Sequence, residues 1–417
     1  LLLEQIGTYL LAESWLRIAK QANVWSLPGF GLFLFCLLPV TNVFLAVGKN
    51  GTTYLLEEVS SLARITAAAT AVPAYEVTQE ASMAFARLLF QDAFPDIDRL
   101  ISIFSHSRIR KRHFCMPLEW FGQDHSFAEK NRLYIQHAVA LGAEAAKRCL
   151  ENSNCRIDDI DCLVFVSSTG IATPSIDAHL LNRLGLRSDI TRIPLWGLGC
   201  AGGAMGLARS CEYVNAYPKR RVLLLSVELC GLTFIRQDVS KSNLVATCLF
   251  GDGAAAVLIE GDEVVHTGVS DQPQLHFCAA RSRTWSDSLD VMGWEVTDPG
   301  LKVVFSRDIP TLIHKSMREE LESFLAPLGT TVEKLRHFIF HPGGAKVLNA
   351  YQQALQLPAD SIRFSEEVLR DYGNMSSPTV LFVLEKSLQK PWSKGEQGLL
   401  AALGPGFSSE FILLEAR

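Results

Sequence analysis

Apolar positions along this chain follow two periods, and the switch between them marks the elements. Asp161–Val166, Arg221–Val227, Ala254–Glu260, His337–Phe340, Gly398–Leu403 and Ser409–Leu414 are short, nearly continuous apolar runs, the pattern of strands buried on both faces. Ala63–Ala71 and Thr191–Leu195 are further extended runs. Elsewhere the spacing is helical: Thr78–Phe90 begins at a threonine cap, Ala128–Leu150 forms a long helix, and Met205–Val214 follows a glycine-rich turn.

The order of elements repeats. A buried strand, a helix, the helix behind Cys200 and the strand Arg221–Val227 lead to Phe250-Gly251-Asp252-Gly253 and another strand. In the second half His337–Phe340 leads to His341-Pro342-Gly343-Gly344 and a helix. A helix opening at Gly373-Asn374-Met375-Ser376-Ser377-Pro378 follows, then the strand Gly398–Leu403, Gly404-Pro405-Gly406 and a last strand. Strand, helix, helix, strand and a Gly-x-Gly hairpin recur, which predicts two similar α/β halves packed face to face, 62–262 and 263–417.

Residues 1–61 do not share this pattern. Between Gln21 and Gly48 there is no charged residue, and the apolar stretch from Leu27 is long enough to cross a bilayer, yet Pro28 and Pro39 interrupt it. The flanking basic residues favour neither orientation, and the chain starts at Leu rather than Met. A membrane anchor, a hydrophobic extension packed on the rest and translated upstream sequence foreign to the protein all fit, so 1–61 is kept apart from the fold.

Composition narrows the function classes. Of 417 residues, 48% are hydrophobic and 20% charged, values of a globular chain long enough for two domains or one duplicated one. A net charge of −5, with no basic run longer than Arg110-Lys111-Arg112, argues against nucleic acid as a partner. The cysteines show neither a CxxC pair nor zinc spacing, so no metal site or disulfide framework is expected, and a reducing cytosol is the natural setting.

Cys200 lies among glycines at a predicted helix N-terminus, where unpaired N–H groups and the helix dipole favour a thiolate; small neighbours would let a substrate carbonyl approach. His341 leaves the core at a strand end and can take the thiol proton, while the Asn374 amide, at its own helix start, can donate to a developing oxyanion. Singly these read as a small core residue, a satisfied core histidine and a capping asparagine; together they make nucleophile, base and oxyanion donor. The order Cys, His, Asn also fits a papain-like thiol hydrolase, although the aromatic context after its cysteine is missing and the doubled architecture is wrong for it. An inactive scaffold is a third reading, disfavoured because all three reactive positions are present.

Trp196–Gly203, Phe250–Ala256, His341–Gly344, Gly373–Ser377 and Gly404–Gly406 form an ordered motif set that resembles the type III polyketide synthases, the chalcone and stilbene synthase family, over roughly Leu62–Arg417. Ketoacyl carrier-protein synthase III relatives follow their histidine with a Gln-Ala-Asn type of sequence, whereas Pro342-Gly343-Gly344 stands here. The resemblance implies a five-layer αβαβα thiolase fold, a homodimer, and substrates carried on coenzyme A with no cofactor. By motif position, Cys200 would carry the starter acyl group, while His341 and Asn374 polarise a malonyl thioester so that decarboxylation supplies the nucleophile. Phe250 matches an aromatic gate; its plain alternative is a core residue.

Departures from the plant pattern refine this. A second aromatic gate falls at Val303, a cavity threonine at Cys230, and the methionine that reaches into the partner's cavity at Thr173, while Thr233 is retained. Of three basic contacts to coenzyme A only Arg99 is kept, so Arg108, Arg110, Lys111 and Arg112, with Gly343 and Gly344, are the substitute carrier contacts. Lost bulk at Val303 and Thr173 implies an apolar tunnel. Val291–Trp294, Gly300–Pro310 and Lys241–Leu244 look most like bacterial alkylpyrone and alkylresorcinol synthases, which extend long-chain fatty acyl-CoA with malonyl-CoA. The expected enzyme is an acyltransferase making alkylpyrones, with alkylresorcinols or another starter as alternatives. The expected setting is the cytoplasm, at the cytoplasmic face of the membrane if residues 1–61 are an anchor.

Overall fold

Inward and outward residues alternate along each central strand, and this alternation builds the layers. In the computed structural model, residues 63–265, 274–306 and 308–417 are described in full. Before them only the backbone of three short antiparallel strands, Phe33–Leu34, Val43–Val47 and Thr53–Glu57, is described. The apolar stretch expected to anchor or extend the chain otherwise lies outside the described residues. Among those residues no helix is long and apolar enough to cross a membrane. Residues 1–62 and 63–417 form two separate compact units, and the second holds every candidate site residue.

On the strand Arg221–Leu229, Leu223, Leu225, Val227 and Leu229 enter one core with the helix Phe127–Ser153, while Val222 and Leu224 enter another with the helix Gly202–Ala216. On Gln397–Gly404 the split recurs: Leu400 and Ala402 face the same middle core, and Leu399, Ala401 and Leu403 face the helices Ile309–Leu325 and Ala345–Leu355. Gly202–Ala216 and Thr379–Leu388 touch strands of both halves and form the central helical layer. The layers run helix, sheet, helix, sheet, helix, the αβαβα arrangement expected.

The duplication is visible in the strand order. In the first half Cys162–Ser167 pairs in parallel with Arg221–Leu229, which pairs antiparallel with Asp252–Glu260 and then Arg64–Ala71. In the second half His337–Phe340 pairs in parallel with Gln397–Gly404, followed antiparallel by Ser408–Ala416 and Leu275–Thr284. The halves join edge to edge through Leu275↔Ile65 and His276↔Arg64, and the first adds an outer strand, Thr191–Trp196. One expected correspondence fails. Gly404–Gly406 turns a hairpin, but Gly251–Gly253 does not, because the helix Lys241–Leu249 intervenes and Phe250 leads from that helix into the next strand.

Candidate active site

The glycines around Cys200 answer a packing demand. Cys200 sits in the turn Gly199–Ala201, two residues before the start of the helix Gly202–Ala216. That helix is pressed against the second half: a Cβ on Gly203 would lie 2.1 Å from the Ser377 carbonyl oxygen. Across the same seam, a Cβ on Gly404 would lie 2.6 Å from that of Ala201. Small residues here also let the two halves approach, a packing role beside the access to substrate expected of them.

This close approach carries Asn374 to the thiol. Both amide atoms of Asn374 lie 3.9 Å from Cys200 Sγ. The Ser376 N–H donates to Asn374 Oδ1 at 2.8 Å, which fixes the orientation of the amide, and Nδ2 donates to the Gly343 carbonyl oxygen at 3.3 Å. Asn374 is not at a helix start as expected; the helix begins at Thr379, and Asn374 instead pairs through its backbone with the Phe250 segment. His341 follows its strand as anticipated, its N–H donating to the Ala401 carbonyl oxygen at 2.9 Å. The imidazole is 2% exposed, and neither ring nitrogen has a hydrogen-bond partner.

Electrostatics modify the thiolate expectation. Burial pushes the Cys200 thiol up to about 11, against smaller lowering by Ser376 and Asn374, and burial pushes the His341 imidazole down to about 3. The helix end therefore does not by itself create a thiolate. Desolvation opposes a charge on either group alone. The ring nitrogens of His341 are without a hydrogen-bond partner, which leaves them open to a proton or to an oxyanion.

The chain matches the family models for the chalcone and stilbene synthases, N-terminal domain over residues 56–263 and C-terminal domain over 277–416. It belongs to the type III polyketide synthases. A putative chalcone synthase of Bacillus subtilis is 44% identical over 358 residues, 84% of this chain and 98% of the relative. A 1,3,6,8-tetrahydroxynaphthalene synthase of Streptomyces peucetius is 39% identical, covering 77% of this chain and 85% of its own. The crystal structure of the Streptomyces coelicolor 1,3,6,8-tetrahydroxynaphthalene synthase superposes with a TM-score of 0.79 at 26% identity, covering 85% of this chain and 99% of that one. Membership removes the papain-like reading.

In this polyketide synthase Phe250, Cys230, Thr233 and Val303 line one narrow apolar cleft of about 60 Å3. Phe250 joins cleft to site: its ring lies 6.1 Å from Trp294 and 6.0 Å from Phe305, while its backbone pairs with Asn374. Thr173 is exposed and is not among the residues lining that cleft.

The expected carrier contacts do not form one patch. Lys111 and Arg112 are neighbours on the strand Lys111–Phe114 and point to opposite faces; Lys111 pairs with Glu76 at 2.6 Å, whereas Arg112 is 1% exposed and bonds carbonyl oxygens in the interior. Arg112 is therefore withdrawn as a phosphate contact. Arg108 pairs with Glu366 at 2.9 Å and Arg99 with Asp96 at 2.6 Å, while Arg110 is exposed. Gly343 and Gly344 form the turn between His341 and the helix Ala345–Leu355.

Sequence reasoning overlooked Glu228. It is fully buried beside this site and accepts hydrogen bonds from Ser168 N–H at 2.9 Å, Thr169 Oγ1 at 2.8 Å and Ser377 Oγ at 2.7 Å, with Ser167 Oγ at 3.3 Å. Burial outweighs these bonds and pushes its carboxyl up to about 7. The available signal was a glutamate inside the apolar run Val222–Leu229.

Proposed function

We propose that this type III polyketide synthase condenses a long-chain fatty acyl-CoA starter with malonyl-CoA to give alkylpyrones. The Cys200 thiol attacks the starter thioester, its proton passing through His341 to the departing coenzyme A, so that an acyl–sulfur bond replaces the acyl–CoA bond. Malonyl-CoA then loses carbon dioxide, and the electron pair of the broken carbon–carbon bond forms an enolate whose oxygen meets donors from Asn374 Nδ2 and the neutral His341 ring. The enolate carbon attacks the acyl carbonyl, the carbon–sulfur bond breaks, and Cys200 is released to take the chain again.

The observation that carries this reading is the apolar cleft behind Phe250. Phe85, Phe121, Phe234, Ile235, Ala246 and Val303 line it with hydrocarbon, which suits an alkyl chain. Exposed Ile171 (46%) and Trp196 (53%) lie on the surface that also carries Thr173, and we assign this surface to a homodimer contact. Arg99, Arg108, Arg110 and Lys111 are the outward cations left for the coenzyme A phosphates. Coenzyme A thioesters are made in the cytosol, where we place the enzyme.

Incubation with palmitoyl-CoA and labelled malonyl-CoA, read by mass spectrometry, tests the assignment. Labelled alkylpyrones are expected; absence of labelled polyketide across starters of several lengths refutes it. A labelled aromatic product from malonyl-CoA alone would favour the second reading, a malonyl-primed synthase, for which the 39% identity to a tetrahydroxynaphthalene synthase speaks.

A further inference from the structure

Arg112 is buried at the junction between gate and thiol partner. One of its guanidinium nitrogens, Nη1, donates to the carbonyl oxygens of Thr247 at 2.7 Å and Phe250 at 2.6 Å, serving the C-terminal end of the helix Lys241–Leu249. Beyond that end the chain is stitched to the second half: Asn374 N–H donates to Leu249 O at 2.9 Å, and Gly251 N–H donates to Asn374 O at 3.0 Å. The stem of Arg112 packs in the same seam. A Cβ on Gly373, whose φ is +70°, would lie 2.8 Å from Arg112 Cγ and Cδ. Two residues past Phe250, the Asp252 carboxylate accepts from the N–H groups of Cys115 at 2.9 Å and Gly231 at 2.7 Å, which anchors the cleft wall at Cys230 to the same frame.

We infer that Arg112 is a positioning residue that sets the Phe250 ring and the Asn374 amide together, through the backbone bridge between their two segments, so that the enolate forms within reach of the acyl group on Cys200. This deepens the condensation reading and rests on it. The hydrogen bonds of Arg112 go to the Thr247 and Phe250 carbonyls and not to Cys200, so its loss should disturb starter loading far less than the step that needs gate, amide and sulfur in register. Burial lowers its guanidinium to about 10, still charged at neutral pH. Removing it leaves the Phe250 and Thr247 carbonyls without this donor.

The test compares wild type, Arg112→Met and Arg112→Lys. Three readouts are taken: acylation of Cys200 by intact mass, kcat for polyketide formation, and acetyl-CoA released per polyketide made. For Arg112→Met the expected result is acylation within about 2-fold of wild type and a kcat about 10- to 100-fold lower, the scale of a small misplacement of reacting groups. Acetyl-CoA per product should rise, with Arg112→Lys intermediate. Equal loss of acylation and condensation, or no change in either, overturns the inference. If Arg112→Met does not fold, Arg112→Lys decides by the same criteria. If wild type makes no polyketide from any starter, the condensation reading fails, and amide exchange at Gly251 and Asn374 in Arg112→Lys then judges the clamp: faster exchange supports it, and wild-type protection overturns it.

Discussion

Replacing His341 by glutamine tests the proton exchange on which nucleophile formation depends. Glutamine keeps an amide donor of similar size but cannot hold the thiol proton. Burial holds the Cys200 thiol at about 11, against smaller lowering by Ser376 and Asn374, so proton exchange with the ring has to supply the thiolate at neutral pH. At pH 7.5 a thiol of that pKa is ionised in only about 3 parts in 10,000, against about one part in ten for a free cysteine thiol near 8.5. The sign is that of any acid raised in pKa: the reactive anion is scarce at neutral pH, and its fraction rises about tenfold per pH unit until the pKa is approached. Alkylation by iodoacetamide, followed as mass gained on Cys200 between pH 6 and 10, reads this fraction directly. Wild type is expected to react at neutral pH with a shallow profile, and His341→Gln at least about 100-fold more slowly at pH 7.5, with a steep climb toward pH 10. Equal rates and superimposable profiles would show that His341 has no part in forming the thiolate.

Three further outcomes rest on the same geometry. Glu228 is fully buried with a carboxyl raised to about 7, so the folded state binds its proton more tightly than the unfolded chain. Its contribution is therefore lost as pH rises from about 4.5 through 7, and Glu228→Gln should flatten the decline of chemical-denaturation stability over that window by up to about 3 kcal/mol; an unchanged slope refutes it. Gly203→Ala places a methyl 2.1 Å from the Ser377 carbonyl oxygen and should cost about 1–3 kcal/mol or prevent assembly of the two halves, measured by urea unfolding; wild-type stability would contradict the packing account. Val303→Phe fills part of the cleft wall and should shorten the longest acyl-CoA accepted, read from the product mass series; an unaltered series would place the alkyl chain elsewhere.

Much of the fold was legible because it rests on local rules. The Thr78 cap accepts from the Ala81 N–H at 3.2 Å, the long helix runs Phe127–Ser153, and the buried apolar runs became the central strands, since capping and periodicity act between residues close in sequence. Cys200, His341 and Asn374 were likewise recognisable as a motif set. Their surroundings were less so. Arg112 read as part of an exposed basic run, and only the pairing of Lys111–Phe114 with Tyr75–Thr78 decided which of its neighbours would turn inward.

The sequence by itself determined the duplicated α/β order, the family and the three candidate reactive side chains, because these are written in short motifs and in periods of two and 3.6 residues. Tertiary structure decided what those motifs do to one another. The glycines beside Cys200 proved to be a seam between halves, Asn374 lies in a loop paired with Phe250, and Glu228 and Arg112 turned out to be interior ionisable groups held by residues 59 to 149 positions away. Burial and long-range hydrogen bonding set these roles, and both depend on which distant segments the fold brings together.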